Sequence, residues 1–136
     1  MSTKIESTRV EINQSAQFVF DFVNDFNNIK QLLPQDKISD WKSDVDSCSF
    51  KIQNAAIIPL VKDNVTAPTT INIVSGDKTP FPFTLAITFK ELDANKTEAY
   101  LNFDGDINAF LKMMVVKPLT NLFNYMADEL KVVCEN

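Results

Sequence analysis

The chain has 136 residues, 18 acidic against 13 basic side chains for a net charge of -5, and 45% hydrophobic content. Those values suit one domain, spanning 1–136, that buries roughly two thirds of its unfolded surface without metal or disulfide support. The negative balance and the scattered Lys and Arg argue against general nucleic-acid binding, and the complete lack of histidine removes Ser-His and Cys-His nucleophile pairs and His-rich zinc sites.

An alternating stretch from Lys4 to Ile12 opens the chain as a strand. Ser15 then suits a helix cap, and Phe18, Val19, Phe22 and Val23 recur at the spacing of one buried stripe. A second short helix begins near Phe26 and buries Phe26, Ile29, Leu32 and Leu33 before Pro34, whose ring disfavours helical geometry in its predecessor. The period then changes to two. Trp41, Ser43 and Val45 alternate with polar residues, Asp46-Ser47 suits a hairpin turn, and Cys48, Phe50 and Ile52 follow. The stretch from Ala55 to Val65 is apolar on both parities at first and contains Pro59, which suggests an edge position or a bulge; its inner face stays open. Ile71 and Ile73 precede a turn at Gly76-Asp77. Phe83, Leu85, Ile87 and Phe89 form the cleanest inward face, and after a turn at Asp93–Lys96 the residues Ala99, Leu101 and Phe103 line the last strand. From about Asn108 to Cys134 the pattern is helical, with Leu119, Leu122, Phe123, Met126, Leu130 and Val133 on one broad apolar stripe. Pro118 predicts a kink or a break in that helix.

Chemistry-bearing motifs are sparse. Gly76 and Gly105 are the only glycines, too few for a phosphate-cradling loop. Asp104, Asp106 and Asn108 imitate the first ligands of a calcium loop, but Ala109 and Val115 stand where that loop needs Gly and Glu, so a strand edge followed by a helix cap is expected and no metal site. Asp21 and Asp25 share a helix face as two exposed like charges. Met1–Glu6 lacks the apolar core of a signal peptide and no apolar run approaches the roughly 18 residues of a membrane span, so a cytoplasmic protein with free thiols at Cys48 and Cys134 and no transmembrane segment is expected. Eleven phenylalanines against two tyrosines and one tryptophan predict an interior rich in rings without hydrogen-bonding groups. Phe81, Phe83, Phe110, Met113 and Met114 fall where a strand start and the tail-helix start could surround an opening, and Tyr100 or Tyr125 could add a polar handle, Tyr125 more readily. Met113 to Val116 is a run of apolar residues that cannot all face one core from a helix.

The order of these patterns resembles the START-like, polyketide-cyclase (SRPBCC) superfamily over essentially the whole chain. The resemblance rests on Ser15–Phe22 for the first helix, Asn28 to Pro34 for the second and Leu119 to Leu130 for the last. The tail from Thr97 to Leu130 is similar in pattern to the branch containing a carbon-monoxide dehydrogenase subunit and coenzyme Q-binding proteins. The resemblance implies an α+β helix-grip fold: a strand, two short helices, a curved antiparallel sheet of about six or seven strands, and a long C-terminal helix gripped by the sheet. Members bind lipids, sterols, quinones or hormones, and a few catalyse cyclisation or dehydration. No family catalytic residue maps onto a position here, and no cofactor is implied. The expected activity is binding of a hydrophobic small molecule or lipid between sheet and helix by Phe83, Leu85, Ile87, Leu101, Phe103, Phe110, Met114, Leu122 and Met126. The alternatives are a cyclase- or dehydratase-like enzyme, and a protein or membrane interaction module using the apolar start of the last helix.

Overall fold

The computed structural model describes residues 2–52, 56–77 and 79–136. In chain order they form β1 (Ser2–Glu6), β2 (Val10–Ile12), α1 (Ala16–Asn24), a 3-10 helix (Phe26–Leu32), β3 (Ile38–Ser43), β4 (Ser47–Ile52), β5 (Ile57–Thr66), β6 (Thr70–Ser75), β7 (Phe83–Asp93), β8 (Lys96–Asp106) and α2 (Ala109–Glu135). The strands make one 8-stranded antiparallel sheet in the order β1-β8-β7-β6-β5-β4-β3, with β2 also pairing β8.

The opening run is two strands because one residue is inserted between them. Ser7, Thr8 and Arg9 oppose only Tyr100 and Leu101, so the pairing of β1 with β8 resumes in β2 shifted by one. Such a bulge flips the inner parity. Thr3, Ile5 and Ser7 point inward on odd positions, whereas Ile12 does so on an even one. The bulge is well satisfied: Ser7 donates its amide to the Leu101 carbonyl at 2.9 Å, and Ser7 Oγ accepts from the Leu101 amide at 2.9 Å.

Ser15 Oγ accepts from the Phe18 amide at 3.1 Å and caps α1 as expected. The buried face is turned relative to expectation, however, and consists of Ala16, Val19, Phe20 and Val23, with Phe18 exposed and Phe22 half-buried. Phe20 meets Phe89 of β7 edge to face at 6.1 Å, and this contact sets the rotation of the helix on the sheet. At the other end of α1 the Lys62 ammonium donates to the Asn24 carbonyl, pairs with Asp46 at 3.2 Å and lies over the Phe26 ring, so a cation occupies the negative end of the helix. Phe26, Ile29, Leu32 and Leu33 are all buried, although the first three lie in a 3-10 helix and Leu33 is its extended C-cap.

Val45 lies in the β3–β4 turn and is exposed, so the inward alternation of β3 stops at half-buried Trp41. Of the two placements expected for the Pro59 stretch, the edge is not found: β5 pairs with both β4 and β6, carries a register shift of the bulge kind between Lys62 and Asn64, and turns Ile58 and Leu60 inward. Pro59 is accommodated there because its carbonyl still accepts from the Gly76 amide at 3.0 Å. Ala55, the expected start of that stretch, lies outside the described residues.

α2 continues through Pro118 without a break. Asn108 caps it, its side chain accepting from the Leu111 amide at 2.9 Å, which is the role expected for the end of the calcium-loop imitation. The C-terminal half is tied to the N-terminal strand region by side chains. The Thr8 amide donates to Asn124 Oδ1 at 2.9 Å, Gln14 donates to the Cys134 carbonyl at 3.0 Å, the Asn13 amide donates to Glu135 at 2.8 Å, and Lys131 donates to the Glu11 carbonyl at 2.7 Å. The N-terminal half is held by packing of Val115 and Leu119.

Cys48 and Cys134 are buried free thiols. Burial, with a smaller effect of Asp44, pushes the Cys48 thiol from 9.0 up to about 12. Burial, with a smaller effect of Glu135, pushes Cys134 up to about 11. The unfolded chain releases these protons near the ordinary value while the folded chain holds them. Their contribution to stability is therefore complete below pH 9.0 and declines as pH rises through the folded values. Chemical denaturation at about pH 8 and about pH 10.5 is expected to show that decline in the wild type and a smaller one in a Cys48→Ala, Cys134→Ala variant. Equal declines in both proteins would assign the effect to other groups.

Candidate ligand-binding groove

The concave face of the sheet and the inner face of α2 enclose a void of about 10 Å³, lined by Phe50, Ile58, Leu60, Phe83, Leu85, Phe103, Leu119, Leu122, Phe123 and Met126. That volume is no more than a single water-sized probe occupies, so the interior is packed. The rings interlock across it, with Phe103 5.3 Å from Phe83 and 5.4 Å from Phe123, and Phe81 closing the group 6.4 Å from Phe103. Phe103 also folds over Gly105, where a Cβ would come within 2.7 Å of its ring. Among the described residues only aliphatic, Phe and Met side chains line the void, and none of them is a proton-transferring group.

Of the expected ligand-binding residues, Phe83, Leu85, Phe103, Leu122 and Met126 lie around this void. Ile87 and Leu101 are buried further along the sheet, outside its lining, and Phe110 and Met114 are exposed on the first turns of α2. Phe50, Ile58, Leu60, Leu119 and Phe123 join the lining without having been singled out for it. Phe50, Leu119 and Phe123 carried only a periodicity signal, and Ile58 and Leu60 sat in the stretch whose inner face the alternation left open.

A larger space lies beside the helix. Pro34, Asp36, Lys37, Ile38, Ile52, Pro118, Asn121, Leu122 and Tyr125 line a groove of about 450 Å³ between the segment after the 3-10 helix, the β3–β4 edge and the middle of α2. Pro118, Asn121, Leu122 and Tyr125 share that side of the helix at steps of three and four. Leu122 belongs to the linings of both spaces. Tyr125 brings a phenol to the groove. Partial burial, then the Glu129 and Asp36 carboxylates, raise it above the usual 10.0, so it remains a hydrogen-bond donor at neutral pH. Tyr100 is placed differently, on the outer face of the sheet beneath the Arg9 guanidinium, whose carbon is 3.9 Å from the ring centre.

A further depression, about 570 Å³, is on the solvent face of the sheet, where small Ala86 sits in a row with Asn72 and Asn102 and beside Thr84 and Asp104. Its rim is polar, which suits hydration better than an apolar guest. Among the described residues no cluster of carboxylates and thiols could hold a metal ion, and no helix is long and apolar enough to cross a membrane.

No family model matches this chain, and no curated protein matches its sequence. Solved structures match it in shape. A START superfamily protein from Mycobacterium smegmatis superposes with a TM-score of 0.70 at 14% identity, over 97% of this chain and 97% of the other. Norcoclaurine synthase from Thalictrum flavum, in complex with dopamine and hydroxybenzaldehyde, gives 0.72 at 12% identity over 98% and 86%. Zhui aromatase/cyclase from a Streptomyces species gives 0.69 at 13% identity over 98% and 96%. The chain therefore has the START-like helix-grip fold, an open antiparallel sheet holding a long C-terminal helix. At such identities the likeness speaks for architecture alone.

Proposed function

We propose that this protein binds a hydrophobic small molecule or a lipid chain, taken up through the groove beside α2 and extended toward the sheet past Leu122. The observation that carries the reading is that Leu122 is shared: it lines both the 450 Å³ groove and the void in the apolar interior. The groove falls within the roughly 300–1,000 Å³ usual for small-molecule sites. Phe and Met side chains in the interior offer rotamer changes rather than buried polar groups as the obstacle to a guest. Tyr125, Asn121 and Lys37 at the rim supply hydrogen-bond donors for a polar head.

Native mass spectrometry of freshly purified protein, followed by denaturing extraction, is expected to release an apolar compound. Trp41 supplies a second readout, since it is the chain's single tryptophan and stacks 6.2 Å from Phe50, which lines the interior. Titration with oleate is expected to change Trp41 emission saturably. Asn121→Phe, which fills the groove from an exposed position, is expected to weaken that binding by about tenfold, near 1.4 kcal/mol, without altering stability. A clean apo mass together with a flat titration would remove the reading.

A further inference from the structure

The first turns of α2 carry two apolar faces, and the fold uses only one of them. Val115 and Leu119 turn inward, while Phe110, Met113 and Met114, at i, i+3 and i+4, are 64%, 89% and 53% exposed. Lys117 continues this outward face one turn later, and Lys112 is exposed between the apolar residues. The charge pattern is equally lopsided. From Ile107 to Ala127 there is no carboxylate, the longest such stretch in a chain with 18 acidic residues, and it contains Lys112 and Lys117. Exposed Pro80 and Pro82 lie at the same end of the molecule, where the Pro82 carbonyl accepts from the Asp106 amide at 2.9 Å.

We propose that the outward face of the first two turns of α2 docks on the surface of a bilayer containing anionic phospholipid, with Phe110, Met113 and Met114 inserted below the headgroups and Lys112 and Lys117 among the phosphates. Apolar side chains beside lysines on a helix face, with no acid among them, match the chemistry of that interface. The size of the patch argues against a second copy of the chain as occupant. Three such side chains expose on the order of 400 Å², half of the roughly 800 Å² per partner that a stable interface buries. The net charge of -5 makes the local lysines decisive, because the rest of the surface is repelled by anionic lipid. This assignment is independent of the groove and stands or falls separately from ligand binding.

The test is co-sedimentation of the full chain with phosphatidylcholine vesicles containing about one third phosphatidylglycerol, alongside phosphatidylcholine alone. Wild-type protein is expected to sediment with the anionic vesicles, and less so as salt rises from about 50 to about 500 mM. Met113→Asp, at the most exposed position, is expected to weaken association at least tenfold with an unchanged thermal midpoint, and Lys112→Glu with Lys117→Glu to abolish the preference for phosphatidylglycerol. Absence of wild-type association, or equal association of Met113→Asp, would overturn the proposal. So would a wild-type dimer in vesicle-free sedimentation velocity that Met113→Asp dissociates, since that would make the face a contact between copies.

Discussion

Phe103→Ala is expected to lower the unfolding free energy by about 3–5 kcal/mol, measured by urea denaturation. Phe103 is 3% exposed, touches the rings of Phe81, Phe83 and Phe123, and covers the Gly105 backbone. Removing it leaves a hole beside a void of only about 10 Å³, in an interior whose α2 wall is held at one end by hydrogen bonds to the N-terminal region. Collapse into that hole is therefore incomplete and the cavity cost persists. A domain of this size has a total of about 5–15 kcal/mol, so the loss takes about a fifth of it or more. Phe110→Ala provides the contrast, with an expected change within about 0.5 kcal/mol, because that ring is 64% exposed. Similar effects for the two variants would show that the ring cluster does not carry the core.

Pro118→Ala is expected to act in the opposite direction, raising stability by about 1–3 kcal/mol. Pro118 sits inside α2 without an amide hydrogen, so the Met114 carbonyl has no donor four residues on. Thr120 Oγ donates to the Val116 carbonyl at 2.7 Å, a different acceptor from the one Pro118 leaves unserved. Alanine restores the missing bond at the centre of the helix. The hydrogen bonds from α2 to the N-terminal region at Asn124, Lys131, Cys134 and Glu135 lie beyond Pro118, while the segment bordering the groove lies at it and just after. On the proposed function, proline loosens the part of the helix that must move for Leu122 to admit a ligand. The same variant is then expected to take up oleate several-fold more slowly in stopped-flow Trp41 fluorescence. A Pro118→Ala protein with unchanged stability and unchanged uptake would separate the groove from any helix movement.

Much of the architecture followed from local pattern, and the departures have identifiable causes. The faces of β7 and β8 and the core stripe of α2 were readable because each has a sustained period against one partner surface. α1 has only nine residues, so several apolar stripes fit its sequence equally well, and the contact between Phe20 and Phe89 chose among them. β5 has apolar residues on both parities because its start is buried on both faces, Ile58 and Leu60 inward and Pro59 against Gly76. No single-strand pattern could have placed it between β4 and β6.

The candidate site divides in the same way. Phe83, Leu85, Phe103, Leu122 and Met126 were brought to one surface by periodicities visible in the chain, whereas the apolar run Met113 to Val116 implied only that not all of it faces the core, and Phe110 and Met114, expected at the ligand site, are exposed. The sequence alone therefore determined which face each long element turns inward, because that depends only on spacing along one element. Tertiary structure alone decided how much space lies between those faces, since a cavity is the small difference between the volumes of side chains distant in sequence. It closed the interior to about 10 Å³ around Phe50, Phe103 and Phe123, and it opened about 450 Å³ beside Pro34, Pro118 and Tyr125. Leu122 lines both spaces because the position of α2 across the sheet, set by packing and by its hydrogen bonds to the N-terminal region, puts it there.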